Sequence, residues 1–385
     1  MLIENVNIAT PPNNKFVSGK SLDSLEILEH QDIRVSNGKI ESITPSSHPE
    51  SGGSWVIPAF CDPHTHPVFA GTREDEIDLK KKIGYAEVLK RGGGIYRTIK
   101  STAESDDYAL YSESKSRVLG MMRNGTSIFE CKTGYGITSE GEERMLRVAE
   151  RLERELKIKI KKTLLAHVIP KGVREDVYLR EFKGMIEEFR NRIDYVDVFV
   201  DYGAFSPSFA RDAIEFSNSM GIPGRVHLNE IENLNGIEKL RGLDIKSYDH
   251  MIETRDDEID SIRGAVTILP FTAITLGKGL SLFGKMKTKG TIMAIGSDLS
   301  PNTYVTSLPL VISLARQLSP FSIENLLNMS TLNACYTLSL SESSGSIQKG
   351  KDANLIFLKE SYKMVGYKFG DDLVERVMIN GKFVT

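Results

Sequence analysis

Apolar and polar positions follow two different rhythms along this chain. At both ends the repeat is short. Residues 31–44, QDIRVSNGKIESIT, are two strand-like runs joined by Asn37-Gly38; near the C-terminus ANLIFL is strand-like and VERVMINGKFVT carries Asn380-Gly381. Asn-Gly tolerates positive φ at both turn positions, so each pair predicts a tight β-hairpin. Strand material at both termini, without helical patterning, predicts one small β-sandwich domain assembled from residues 1–56 and 350–385.

The middle alternates apolar runs with amphipathic stretches. Strands are predicted at 55–61, 126–131, 162–167, 194–200, 224–228, 247–250, 266–270 and 291–297. Helix-period segments lie between them, among them SEGEERMLRVAERLEREL, which opens on Ser139-x-x-Glu142, a capping-box pattern. REDVYLREFKGMIEEFR and SPSFARDAIEFSNSM behave likewise. Eight strands alternating with helices predict an α/β fold, a (β/α)8 TIM-like barrel over residues 57–349; a doubly wound open sheet would alternate in the same way. Residues 71–100 are expected to form elaborate loops over the site.

Composition narrows the partners more than the fold. The net charge of −3 gives no electrostatic case for a nucleic-acid or anionic-membrane partner. No run of about 18 apolar residues suggests a membrane span. The N-terminus, MLIENVNIATPPNNK, lacks the basic segment and apolar core of a signal peptide. Cys61, Cys131 and Cys335 are few, odd in number and far apart, which fits a reducing cytoplasm and buried thiols better than a disulfide framework.

Against this ordinary background the histidines stand out. IPAFCDPHTHPVFAGTRE places His64 and His66 one residue apart, just beyond the first barrel strand. On extended backbone, residues i and i+2 face the same side, so both imidazoles can aim at one point. His167, His227 and His250 end the third, fifth and sixth predicted strands, and Asp298 follows the eighth in IGSDLSPN. Chemistry in such barrels gathers at the C-terminal strand ends. Five of the seven histidines fall at that rim, leaving His30 and His48 elsewhere; core packing would account for one or two, not the set. The physical reading is one divalent metal, zinc or iron, held by two imidazoles from one strand end, a third from across the barrel and one carboxylate. An open position on such an ion lowers the pKa of water from about 15.7 to about 7.

Taken in order, DPHTHPVFAGTRE, YAEVLKRGGGIYRT, CKTGYG, LLAHVIP, RVHLNEIENL, YDHM and GSDLSPN resemble the amidohydrolase superfamily and, within it, the imidazolonepropionases. The resemblance implies His64, His66, His227 and Asp298 as metal ligands. It implies Arg73, Tyr135, His167 and Glu230 around the substrate, Ser300, Asn302 and Thr303 closing one side, and His250 beside the attacking water. Glu230, His250 and Asp298 would move protons. The implied reaction is hydrolysis of 4-imidazolone-5-propanoate to N-formimino-L-glutamate, with Arg73 offering a planar fork to the propionate. Carbamylated lysine on the fourth strand serves some barrels of this type as a bridge to a second metal; DYVDVFVDYG has no lysine, so one ion per chain is expected. A homodimer fits this kind of enzyme.

Duller roles exist for each residue. Asp298 could cap a helix near Pro301, Arg73 could be a solvated charge, and Gly92–Gly94 reads as a loop with unusual backbone angles rather than a phosphate cradle. Asn229, Phe271, Ser300 and Asn302 depart from the family pattern and touch the product side of the pocket. Two other functions compete: deamination of a nucleobase or related cyclic amidine by the same ligand set, and a catalytically silent barrel used for binding.

Overall fold

The computed structural model describes residues 1–49, 53–84, 87–88 and 91–384. Tyr85, Ala86, Leu89 and Lys90 of the YAEVLKRGGGIYRT motif lie outside them. The chain opens with β1 (Leu2–Thr10), β2 (Glu26–Ser36), β3 (Lys39–Pro45) and β4 (Ser54–Pro58). Eight barrel strands follow: β5 (Phe60–Asp62), β6 (Thr126–Lys132), β7 (Lys159–Ala166), β8 (Tyr195–Val200), β9 (Gly224–Leu228), β10 (Ile245–His250), β11 (Ala265–Ile268) and β12 (Met293–Ile295). The chain then returns through β13 (Leu355–Leu358), β14 (Val374–Ile379) and β15 (Lys382–Phe383).

Both Asn-Gly pairs turn hairpins, with Ser36 opposite Lys39 and Ile379 opposite Lys382. The two chain ends join because β4 pairs β1 in parallel and β13 antiparallel, giving the strand order β15-β14-β13-β4-β1-β2-β3. Val6, Ile8, Ile33, Val56, Leu355, Phe357 and Met378 form its apolar core. The predicted strand 55–61 is in fact two. It breaks at Ala59, so that β4 serves the terminal sheet and β5 the barrel.

The barrel strands are all parallel and pair in chain order from β5 to β12. Parallel barrel strands are buried on both faces, and β6, TSIFECK, is buried at every position although it carries Glu130 and Lys132. The eighth strand meets the first just beyond their ends: Thr65 bridges Leu299, His66 N donates to Leu299 O (2.8 Å), and Asp298 N donates to His64 O (3.1 Å). Outer helices cover the strands. Ser139–Leu156, for example, turns Met145, Leu146, Val148, Ala149 and Leu152 inward.

Residues 71–100 contain more regular structure than loops. Glu76–Ile83 and the start of Ile95–Glu104 are helical. Gly92 and Gly94 do take positive φ between them (83° and 61°), and a Cβ on Gly93 would meet Val88 at 2.7 Å.

Candidate metal centre and substrate pocket

His64 and His66 lie just beyond β5, on either side of the bridge residue Thr65, and their Nε2 atoms come to 3.3 Å. His227 enters from β9 with its ring 4.5 Å from that of His64, and His250 closes β10 with its ring 5.2 Å from His227. One nitrogen each from His64, His66 and His227 lies within 4.8 Å of the other two. Asp298, beyond β12, brings Oδ1 to 3.7 Å from His64 Nε2 and 3.6 Å from His66 Nε2. It caps no helix; the next one begins at Leu308. The outlets are held in left-handed backbone at Asn229, His250, Met251 and Asp298, conformations that non-glycine residues adopt at a cost and that gather at functional sites.

The donors fit a divalent ion. His64 Nδ1 lies 2.7 Å from Asp249 Oδ2, which fixes its proton there and leaves Nε2 a bare lone pair facing its neighbours. Ligands at about 2.0–2.1 Å in tetrahedral array stand about 3.3 Å apart, which is the His64–His66 separation. Burial, followed for His64 by the charge of Lys132 and for His66 by that of His64, pushes both imidazoles well below their ordinary pKa. His250 is lowered too, by burial and then by His227. Neutral imidazole is the form that coordinates.

Above the donors opens a cavity of about 640 Å³, lined by His66, Arg73, Tyr135, His167, Glu230, His250, Ser300 and Asn302 among others. The Arg73 guanidinium is buried, its Nε has no hydrogen-bond partner, and among the described residues no carboxylate lies within 4.0 Å of it. His167 stacks on His66 with centroids 5.3 Å apart, and the Tyr135 ring lies 5.2 Å from His167. Glu230 Oε2 approaches His250 Nε2 at 3.4 Å; burial, then the charges of Asp298 and Asp201, raise its carboxyl well above the usual range. Thr303 is buried behind Asp298, its Oγ1 3.4 Å from Thr272 Oγ1. It folds the 300–303 turn on itself, accepting at its carbonyl from Ser300 N (3.1 Å) and donating N–H to Ser300 Oγ (3.2 Å).

Two buried carboxylates aim the pocket residues. Glu142 accepts from Gly134 N (2.7 Å), Gly136 N (2.9 Å) and Ile137 N (2.6 Å), clamping the loop that carries Tyr135. The expected capping box does not form: the cap is Thr138, one residue earlier, accepting from Gly141 N, and Glu142 is engaged in that clamp. Gly136 is obligatory here, since a Cβ would sit 2.2 Å from Gly141 C. Asp201 does the same for Glu230, accepting from Glu230 N (2.9 Å), Ile231 N (2.8 Å) and Glu232 N (2.9 Å). Thr272 donates to Asp298 Oδ2 and so turns Oδ1 toward the histidines.

The sequence profile of the Amidohydrolase family matches residues 55–384. The chain belongs to this family. Within it, the imidazolonepropionase of Thermoplasma acidophilum is 36% identical over 387 residues, covering 98% of this chain and 94% of that one. The probable imidazolonepropionase of Homo sapiens is 32% identical, covering 100% and 98%. This amidohydrolase is therefore of the imidazolonepropionase branch. Its fold is shared with more distant structures: an adenosine deaminase from Xanthomonas campestris with bound zinc (TM-score 0.72, 16% identity, 99% of this chain and 92% of that one) and a zinc complex of atrazine chlorohydrolase from Arthrobacter aurescens TC1 (0.74, 14%, 99% and 94%). As an amidohydrolase it is a metal-dependent hydrolase of C–N bonds that uses a divalent ion. Among the described residues no helix is long and apolar enough to cross a membrane.

What the residue pattern alone did not reveal is the layer behind the histidines. Glu130, Lys132, Asp197, Arg225 and Asp249 are fully buried. All five lie inside strands, where a charged residue that alternates with apolar ones reads as solvent-facing. The one available signal was that these strands are apolar on both faces, so a charge in them has nowhere to go but inward.

Proposed function

We propose that the chain opens the ring of 4-imidazolone-5-propanoate by hydrolysis of its cyclic amide C–N bond, yielding N-formimino-L-glutamate in histidine degradation. One observation carries this substrate class: an unneutralised guanidinium, Arg73, shares a cavity with a metal-type donor cluster. An anionic side chain on the substrate answers the first, and a ring carbonyl answers the second.

His64, His66, His227 and Asp298 would hold the ion. When bound, it supplies Lewis acidity toward the carbonyl and acidifies water. Arg73 takes the propionate in charge-assisted hydrogen bonds, and Tyr135 and His167 flank it. Asp298, with Oδ2 engaged by Thr272, offers Oδ1 as the base for the attacking water. His250, across from it, stabilises the oxyanion that forms at the ring carbon. Glu230 carries a proton in its buried setting and delivers it to the departing ring nitrogen as the C–N bond breaks.

We infer further that each chain holds one ion, zinc or iron, and works as a cytoplasmic homodimer without nucleic acid. We read residues 1–56 with 350–385 as a composite β domain and 57–349 as the barrel. The net charge of −3 and three free buried cysteines support the partner and compartment readings. Turnover of the zinc- or iron-loaded chain with the imidazolone, cytosine, guanine and hydantoin, together with metal analysis, tests the proposal. Consumption of a nucleobase alone would replace this substrate with the deaminase reading.

A further inference from the structure

Lys132 ends β6 in the middle of the barrel, wholly shielded from solvent. Its Nζ lies 2.6 Å from Asp197 Oδ2, 3.0 Å from Glu130 and 3.5 Å from Asp249 Oδ2. Asp249 Oδ2 is the atom that receives His64 Nδ1 at 2.7 Å, and Asp197 Oδ2 stands 3.0 Å from His227 Nδ1. One ammonium thus touches both the carboxylate bonded to His64 Nδ1 and the carboxylate that stands beside His227 Nδ1. Arg225 braces the same group from the other side, with Nε 2.9 Å from Glu130 and Nη2 3.4 Å from Asp249. Nη2 also donates to Pro63 O at 2.8 Å, on the residue that precedes His64.

We propose that Lys132 is a positioning residue for the metal centre: its ammonium pins Asp197 and Asp249, and through them sets the tautomer and direction of His227 and His64. The proposal rests on the reading of those two histidines as ligands. The physical logic is that of an outer shell around an ion. A histidine ligand presents Nε2 well only if Nδ1–H is held by an acceptor, and the acceptor directs it only if it is itself fixed. Two cations against three carboxylates leave one surplus negative charge beside the donors, the sign that favours a bound cation. His64, Glu130 and Asp249 also converge closely enough to suggest a second ion site, and the Lys132 ammonium already occupies the space between these carboxylates. The fixed cation is part of the polypeptide, so the cluster stays ordered whether or not the ion is loaded.

The test is zinc affinity by competition with a chromophoric chelator, alongside the visible spectrum of the cobalt-loaded protein. It compares wild type, Lys132→Met, Glu130→Gln and His64→Ala. Folded Lys132→Met should bind zinc about 10–100-fold more weakly than wild type, with a shifted cobalt spectrum that a merely space-filling role would not produce. Glu130→Gln keeps every group that touches a ligand histidine but loosens Lys132, and it should weaken zinc in the same direction. If Lys132→Met does not fold, Glu130→Gln carries the test. Affinity within twofold of wild type and an unchanged cobalt spectrum in Glu130→Gln or in folded Lys132→Met would overturn the proposal. The underlying ligand assignment fails separately, if His64→Ala retains wild-type zinc affinity.

Discussion

The terminal sheet closes around hydrocarbon, with Ile8, Ile33, Val56, Leu355 and Phe357 packed together, whereas the barrel buries five charged residues against its histidines. Apolar burial is non-directional and is satisfied by any filling of the right volume. Buried charges are the reverse: each is favourable only while its partners keep their places, and loss of one strands the others. The first interior joins two chain ends and can repack. The second has to hold imidazole nitrogens to within fractions of an ångström, and directional contacts suit that demand.

This contrast can be broken or sharpened by four substitutions. The largest effect belongs to His64→Ala, which removes a donor and should abolish both metal retention and turnover, read by metal analysis and product formation; full activity in metal-free protein would end the hydrolase mechanism. Next comes Arg225→Met, which leaves Glu130 and Asp249 short of a cation and should destabilise the fold by about 3–5 kcal/mol in urea unfolding of the metal-free chain. A loss below 1 kcal/mol would erase the distinction between the two interiors. Arg73→Ala, at the mouth, should leave stability nearly unchanged. It should raise KM for the imidazolone about 10–100-fold, equivalent to the 1.5–3 kcal/mol of charge-assisted hydrogen bonds. Smallest is Ile8→Val in the terminal sheet, with about 0.5–1.5 kcal/mol lost on unfolding and no change in zinc affinity; a change there would mean that the two interiors communicate.

Much of the arrangement was legible in the residues because the signals are local. A His-x-His pair on extended backbone, histidines at strand ends and Asn-Gly turns each declare themselves within a few positions. Their convergence followed from the barrel rule alone. What stayed hidden depends on pairings distant in sequence. Nothing near Lys132 announces Asp197 or Asp249, and Glu142 looks like a helix-capping residue until the Gly134–Ile137 loop is seen folded over it. The break at Ala59 was invisible for a different reason. Residues 55–61, WVIPAFC, are apolar throughout, and periodicity cannot tell one strand from two that serve different sheets. Thr303 makes the same point as Lys132, since its hydroxyl lies 3.4 Å from that of Thr272, the residue that donates to Asp298, a pairing across 31 positions of sequence.

The lacing of His64 and His66 to Asp298 and Leu299 by main-chain hydrogen bonds also fixes the order of events during synthesis. Three imidazoles leave the ribosome well before the carboxylate does, and the seam that aligns them with it cannot zip until the final barrel strand has emerged and docked. A nascent chain therefore carries three of the four groups through most of translation, and all four come together only once the cylinder shuts.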